Sequence, residues 1–168
     1  KKTRLMDRLS ILFISLLVLT DYMSKLFIKS IILEANQFIE KSVIVNDHII
    51  LSIYYNKGIA FSFLDSDSLA INYFVIFLVA VIILYLLSIF IKNNKNFNKL
   101  EYSSYILILG GALGNFIDRL FNQSVLDFII IHYDDIYFPG IFNFADMFIT
   151  IGVLLIIISY LTGRKKYD

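Results

Sequence analysis

The chain contains no cysteine among its 168 residues. A disulfide framework, a thiol nucleophile and a thiolate metal site are therefore all excluded. Histidine is nearly as scarce: only His48 and His132 occur, too few and too isolated for a histidine-built metal site. Proline occurs once, and charged residues make up only 17% of the chain. A soluble domain of this length, which must cover its core with polar surface, does not usually look like this. Net charge is +1, and no nucleic-acid partner is expected.

What the sequence has instead is apolar length. Hydrophobic residues are 58% of the chain, and the mean hydropathy is +0.75. Four stretches, roughly Leu9–Ser30, Leu69–Ile91, Tyr102–Phe121 and Phe144–Leu161, each supply about the 20 residues that a hydrocarbon core about 30 Å thick requires. The expected fold is a mainly α membrane protein, a single membrane-embedded domain over residues 1–168 with four transmembrane helices. The first stretch is too long for the apolar part of a cleavable signal peptide, and no small-residue cleavage site follows it. The chain opens on Lys1 rather than methionine, which reads as a trimmed start.

The basic residues orient these spans. Lys1, Lys2, Arg4 and Arg8 precede the first, Lys92, Lys95 and Lys99 lie between the second and third, and Arg164, Lys165 and Lys166 follow the fourth. Ten of the fifteen basic residues thus fall on one side, which the positive-inside rule assigns to the cytoplasm together with both termini. Segments 31–68 and 122–143 face outward and carry Glu34, Glu40, Asp47, Asp65, Asp67, Asp134 and Asp135.

Five ionisable residues, Asp21, Lys25, Asp118, Arg119 and Asp146, lie within or at the ends of the apolar stretches, and Asp127 sits between the last two. Charges in or beside hydrocarbon are costly, so each is a functional candidate. At a rise of about 1.5 Å per residue, Asp21 lies roughly 18 Å past Leu9 and Asp118 roughly 24 Å past Tyr102, while Asp146 opens the inward-running fourth span. All three reach one outer level. Asp21 and Lys25 are spaced i, i+4 and can form a structural ion pair or touch a substrate. Asn115, Asp118 and Arg119 share a helix face, and Gly110, Gly111 and Gly114 form a small-residue track suited to close helix packing. Asn143 and Asp146 fit a capping box at a helix start, a structural alternative to any chemical role. That alternative leaves Asp127 unexplained, because Leu126-Asp127-Phe128-Ile129 is an extended, apolar run in which an acid needs a partner. In segment 31–68, Ile49–Tyr55, the turn signal Asn56-Lys57-Gly58 and Ile59–Leu64 predict a short hairpin on the membrane surface.

Three functional classes fit paired acids at a membrane surface: a peptidase, an ion or proton conductor, and a holder of lipidated peptides. The charges cluster at one face and the second span carries none, which disfavours a conducting path. A holder does not need two acids.

Five blocks then occur in order: Asp21-Tyr22-Met23-Ser24-Lys25, Asn56-Lys57-Gly58-Ile59-Ala60-Phe61-Ser62-Phe63, Gly110–Arg119, Val125-Leu126-Asp127-Phe128 and Phe142-Asn143-Phe144-Ala145-Asp146. Together the chain resembles bacterial lipoprotein signal peptidase, the type II signal peptidase. The resemblance implies an intramembrane aspartic endopeptidase of the bacterial inner membrane, with its site near the extracytoplasmic face. Its substrates are diacylglyceryl-modified prolipoproteins, cut just before the lipidated cysteine. It implies Asp127 and Asp146 as catalytic pair, and Asn56, Gly58 and Arg119 at the substrate or at cyclic peptide inhibitors such as globomycin. Asn115, Asn143 and Ala145 become neighbours of the pair, and Asp118, Asp21 and Lys25 its support. No metal or cofactor is expected, membrane lipid is the surrounding partner, and a monomer is the expectation. The family fold adds a small extracytoplasmic β-sheet cradle and a short surface helix. Tyr22, Tyr55 and Ile59 depart from the family's commoner residues, and none belongs to the acid pair.

Overall fold

The computed structural model describes residues 8–35, 42–58 and 68–163. It contains α1 (Arg8–Ala35), β1 (Ser42–Asn46), β2 (Ile49–Asn56), α2 (Leu69–Asn93), α3 (Lys99–Asn122), β3 (Val125–Tyr133), β4 (Ile136–Tyr137) and α4 (Phe144–Gly163). Three helices, α1, α2 and α4, are long and apolar enough to cross a membrane. α3, with 24 residues, spans about 36 Å, but its glycines, Asn115, Asp118 and Arg119 make it too polar to qualify by composition. Its position explains this tolerance. α3 packs against α1, α2 and α4, so its polar side chains meet protein rather than lipid.

Local chemistry fixes the ends of α3. Asn98 accepts from the Glu101 main-chain N–H at 3.0 Å, and Glu101 accepts from the Asn98 N–H at 3.0 Å, a complete capping box. At the other end Gln123 adopts φ 56° and its N–H returns to Arg119 O. This left-handed residue stops the helix and turns the chain into β3.

The four strands form one antiparallel sheet in the order β1-β2-β3-β4. β2 pairs with β1 through a turn at Asp47 and His48, and with β3 on its other side. Asn56-Lys57-Gly58 ends β2, with Asn56 Oδ1 accepting from the Gly58 N–H at 2.9 Å. The hairpin arm expected at Ile59–Leu64 and the short surface helix lie outside the described residues. His48 and His132, far apart in sequence, are neighbours across the sheet, yet their rings stack on different tyrosines, Tyr133 and Tyr137.

Because β2 follows α1 and β3 follows α3, their pairing places both long connections at the same end of the bundle. There Ile28, Ile32 and Phe128 form a core that fastens the sheet to α1. A second core, Ile14, Phe90, Ile106 and Leu109 with Phe97, Tyr102 and Tyr105 around it, joins α1, α2 and α3. α3 and α4 approach closely at Gly111, where any Cβ would run into Ala145 O. At Gly114 a Cβ would lie 2.7 Å from Asp21 Oδ2. The small-residue track is therefore a packing device, facing α4 at one position and α1 at another.

Candidate active site

The β2–β3 register and the start of α4 assemble a polar site at the sheet end of the bundle. Asn56 pairs with Val125 across the ladder. Val125 and Asp127 point to the same face, because side chains alternate along a strand. Asn56 Nδ2 consequently reaches Asp127 Oδ2 at 3.0 Å. Phe142 bridges to Ile129 and lays the chain before α4 against β3. This brings Asn143 Nδ2 to 2.6 Å from Asp127 Oδ1.

Asn143 also opens α4. Its Oδ1 accepts from the Asp146 N–H at 3.0 Å, and its own N–H donates to Asp146 Oδ2 at 3.2 Å. The capping box anticipated from the sequence is present, and it leaves the carboxylate available. Asp146 Oδ1 turns to Asn115 Nδ2 at 2.8 Å, and Asp146 lines the same cavity as Asp127. Asn143, fully buried, thus touches both acids.

Asp127 is only 2% exposed. Burial, and next the nearby charge of Asp146, push its carboxyl from an ordinary 3.8 up to about 7, against the pull of the Asn56 and Asn143 hydrogen bonds. A carboxyl poised there can exchange a proton near neutral pH.

A cation-centred cluster supports this site from the α1 side. Lys25 Nζ lies 2.6 Å from Asp21 Oδ2 and 2.8 Å from Asp118 Oδ2. It also donates to Asn115 Oδ1 at 3.1 Å. Asp21 Oδ1 accepts from the Ala145 N–H at 3.0 Å, which ties α1 to the first turn of α4. Arg119 donates to Gly58 O at 2.6 Å and so anchors the end of β2. All eleven residues singled out in the sequence belong to this one connected set.

The cavity holding the acids has a volume of about 640 Å³. Asn56, Asn115, Arg119, Asp127 and Asp146 form its polar end, and its apolar walls include Val79, Ile82 and Ile83 of α2. Sequence reasoning passed over α2 because that helix carries no charge before Lys92 in its last turn to draw attention. It also passed over Thr150, which lines the cavity one turn beyond Asp146; the i, i+4 spacing was the signal available.

A profile described as Signal peptidase (SPase) II matches residues 13–162. The chain belongs to the signal peptidase II family. It is 42% identical over 118 residues to a lipoprotein signal peptidase of Bartonella henselae, covering 69% of this chain and 70% of that one. It is 39% identical over 137 residues to the lipoprotein signal peptidase of Francisella tularensis subsp. novicida, covering 79% and 83%. A bacterial membrane enzyme solved at 2.3 Å resembles it with TM-score 0.77 and 29% identity over 97% of this chain and 93% of that chain. A second, solved at 1.9 Å, gives TM-score 0.71 and 31% identity over 93% and 94%. A signal peptidase II is a hydrolase of peptide bonds.

Proposed function

We propose that this chain is an intramembrane aspartic endopeptidase that removes signal peptides from diacylglyceryl-modified prolipoproteins, cutting just before the lipidated cysteine. The observation that carries the assignment is Asn143, whose side chain binds Asp127 and whose main chain binds Asp146 at one cavity. Two close carboxyls hold one proton between them more readily than they hold two charges. The ionised member removes a proton from water, whose oxygen attacks the scissile carbonyl carbon. The protonated member donates to the carbonyl oxygen as the tetrahedral species forms. Collapse breaks the C–N bond, and a proton passes to the leaving nitrogen, which frees the new amino terminus. The pair titrates as a unit. Arg119 and Asn56, at the polar rim, hold the peptide main chain or a cyclic peptide inhibitor such as globomycin across the acids. The apolar walls suit the lipidated and signal-peptide portions of the substrate.

The fold supports four crossings. α2 and α4 leave the sheet end of the bundle, and β3, which follows α3, lies in that same sheet. A chain that has left this face along α2 returns to it only along α3. With Lys92, Lys95 and Lys99 around the α2–α3 turn, that turn is cytoplasmic and the acids lie at the outer face of the inner membrane. The chain works as one domain and as a monomer.

Purified full-length chain, mixed in lipid with a diacylglyceryl-modified precursor and followed by gel shift, tests the assignment. Cleavage just before the modified cysteine is expected. Binding without cleavage would point to a holder of lipidated peptides instead.

A further inference from the structure

Asn115 is where the two polar clusters meet. Its Oδ1 accepts from Lys25 Nζ and from Asn143 Nδ2, each at 3.1 Å, and its Nδ2 donates to Asp146 Oδ1 at 2.8 Å. A carboxamide can turn over and exchange its oxygen for its nitrogen with almost no change of shape. Turned over, Asn115 would present an acceptor oxygen to the Asp146 carboxyl instead of a donor.

The neighbours decide which way it faces. Asn143 holds it only in part: the two N–H groups of Asn143 Nδ2 are shared among Asp127 Oδ1 at 2.6 Å, Asn115 Oδ1 at 3.1 Å and Leu126 O at 3.4 Å. Lys25 holds it without ambiguity. An ammonium carries three donors and no acceptor, and these three meet Asp21 Oδ2, Asp118 Oδ2 and Asn115 Oδ1. Only the oxygen of Asn115 can face such a group. No residue of α1 lines the cavity, and of the three groups that Lys25 contacts only Asn115 hydrogen-bonds a carboxylate of the pair, so this amide is the direct hydrogen-bonded route from Lys25 to Asp146.

We propose that Lys25 is a positioning residue for peptide-bond hydrolysis, fixing the Asn115 amide so that its Nδ2 faces the Asp146 carboxyl. Asp21 and Asp118 hold the ammonium at the required place, which couples α1 to the reacting pair. The inference rests on the aspartic-peptidase reading and deepens it.

A double-mutant cycle tests the coupling on the full-length chain, with kcat, KM and Tm measured on diacylglyceryl-modified precursor for Lys25→Met, Asn115→Ala and both together. A parent chain that fails to cleave overturns the peptidase reading and this proposal with it; a cleaving parent confines the question to Lys25. Lys25→Met is expected to lower kcat at least about tenfold with KM nearly unchanged, as loss of one aligned donor does. In the Asn115→Ala background the same substitution should leave kcat where it was, while still lowering Tm. Equal fold-losses of kcat in both backgrounds would mean that Lys25 acts by another route. Since Lys25→Met strands two buried carboxylates, a Lys25→Met/Asp21→Asn/Asp118→Asn chain removes every ion from the cluster. It should regain Tm and remain slow; recovery of kcat together with Tm overturns the proposal.

Discussion

Asp21 and Asp118 share one ammonium, Lys25, whereas Asp127 and Asp146 accept hydrogen bonds only from amides among the described residues. Both clusters are buried, and both lie at the same end of the bundle. Their surroundings differ: Lys25 Nζ lies 2.6 and 2.8 Å from the carboxylates of the first pair, whereas the second pair meets neutral amide donors at hydrogen-bond distance. Burial and the neighbouring charge of Asp146 raise the Asp127 carboxyl to about 7, as the proposed peptidase reading asks of a pair that shares one proton. The first cluster is a fastening of α1 to α3 and α4. The second is the pair we propose to be reactive.

Substitutions should separate the two clusters. The largest effect is expected from Asp127→Asn or Asp146→Asn, each of which should reduce cleavage of lipid-modified precursor by roughly 10⁴-fold, a loss typical of removing a member of a catalytic unit. Tm should fall modestly for Asp127→Asn, since an amide keeps only one of the two acceptor oxygens that Asn56 and Asn143 use; retained turnover in either variant would remove that acid from the pair. Asp21→Leu should do the reverse to first order. It deprives Lys25 and the Ala145 N–H of a buried partner and is expected to cost about 3 kcal/mol in stability, read from chemical unfolding. Loss of turnover at unchanged stability would contradict the fastening role.

Next in size is Gly111→Ala. Its Cβ would meet Ala145 O, a main-chain atom that can yield only by moving α4 and Asp146 with it. A loss of about 1–3 kcal/mol together with turnover is expected. A variant that matches the parent in both would show that α3 and α4 have slack there.

The pH dependence should follow Asp127. Its folded value, about 7, lies above its ordinary 3.8, so the folded chain binds this proton more tightly than the unfolded chain. The stabilisation is complete below about pH 4 and is lost as pH rises toward 7. Turnover should decline above about pH 7, where the pair loses its shared proton. Asp127→Asn should flatten the stability curve over that window; an unchanged slope would refute the linkage. The smallest effect belongs to His132→Ala, whose ring stacks on Tyr137 in the sheet, away from the cavity lining. Stability should shift by no more than about 0.5 kcal/mol and turnover not at all.

Much of the site was legible before the fold was known. Asp21, Asp118 and Asp146 share one level of the bundle because helical rise converts residue count directly into depth. Asn143 and Asp146 could be read as a cap, and the cap exists; what local sequence could not reveal is that capping uses one oxygen of Asp146 and leaves the other for Asn115. The β-branched run before Asn56 was visible as a strand, but its partners were not, since β2 pairs with β1 and β3 from both sides. α2 looked featureless because an apolar helix facing a cavity and one facing lipid have the same composition.

Sequence by itself determined the apolar helices, the clustering of basic residues in the segments that flank them and the level at which the acids stand. Each follows from properties that act locally: transfer of apolar side chains out of water, helical rise and the cost of burying charge. Only the tertiary structure decided which acids share Lys25 and which accept from amides alone among the described residues. That division depends on which side chains come within about 3 Å of one another, and the helix approach at Gly111 and the β2–β3 register set those distances across long separations in the chain.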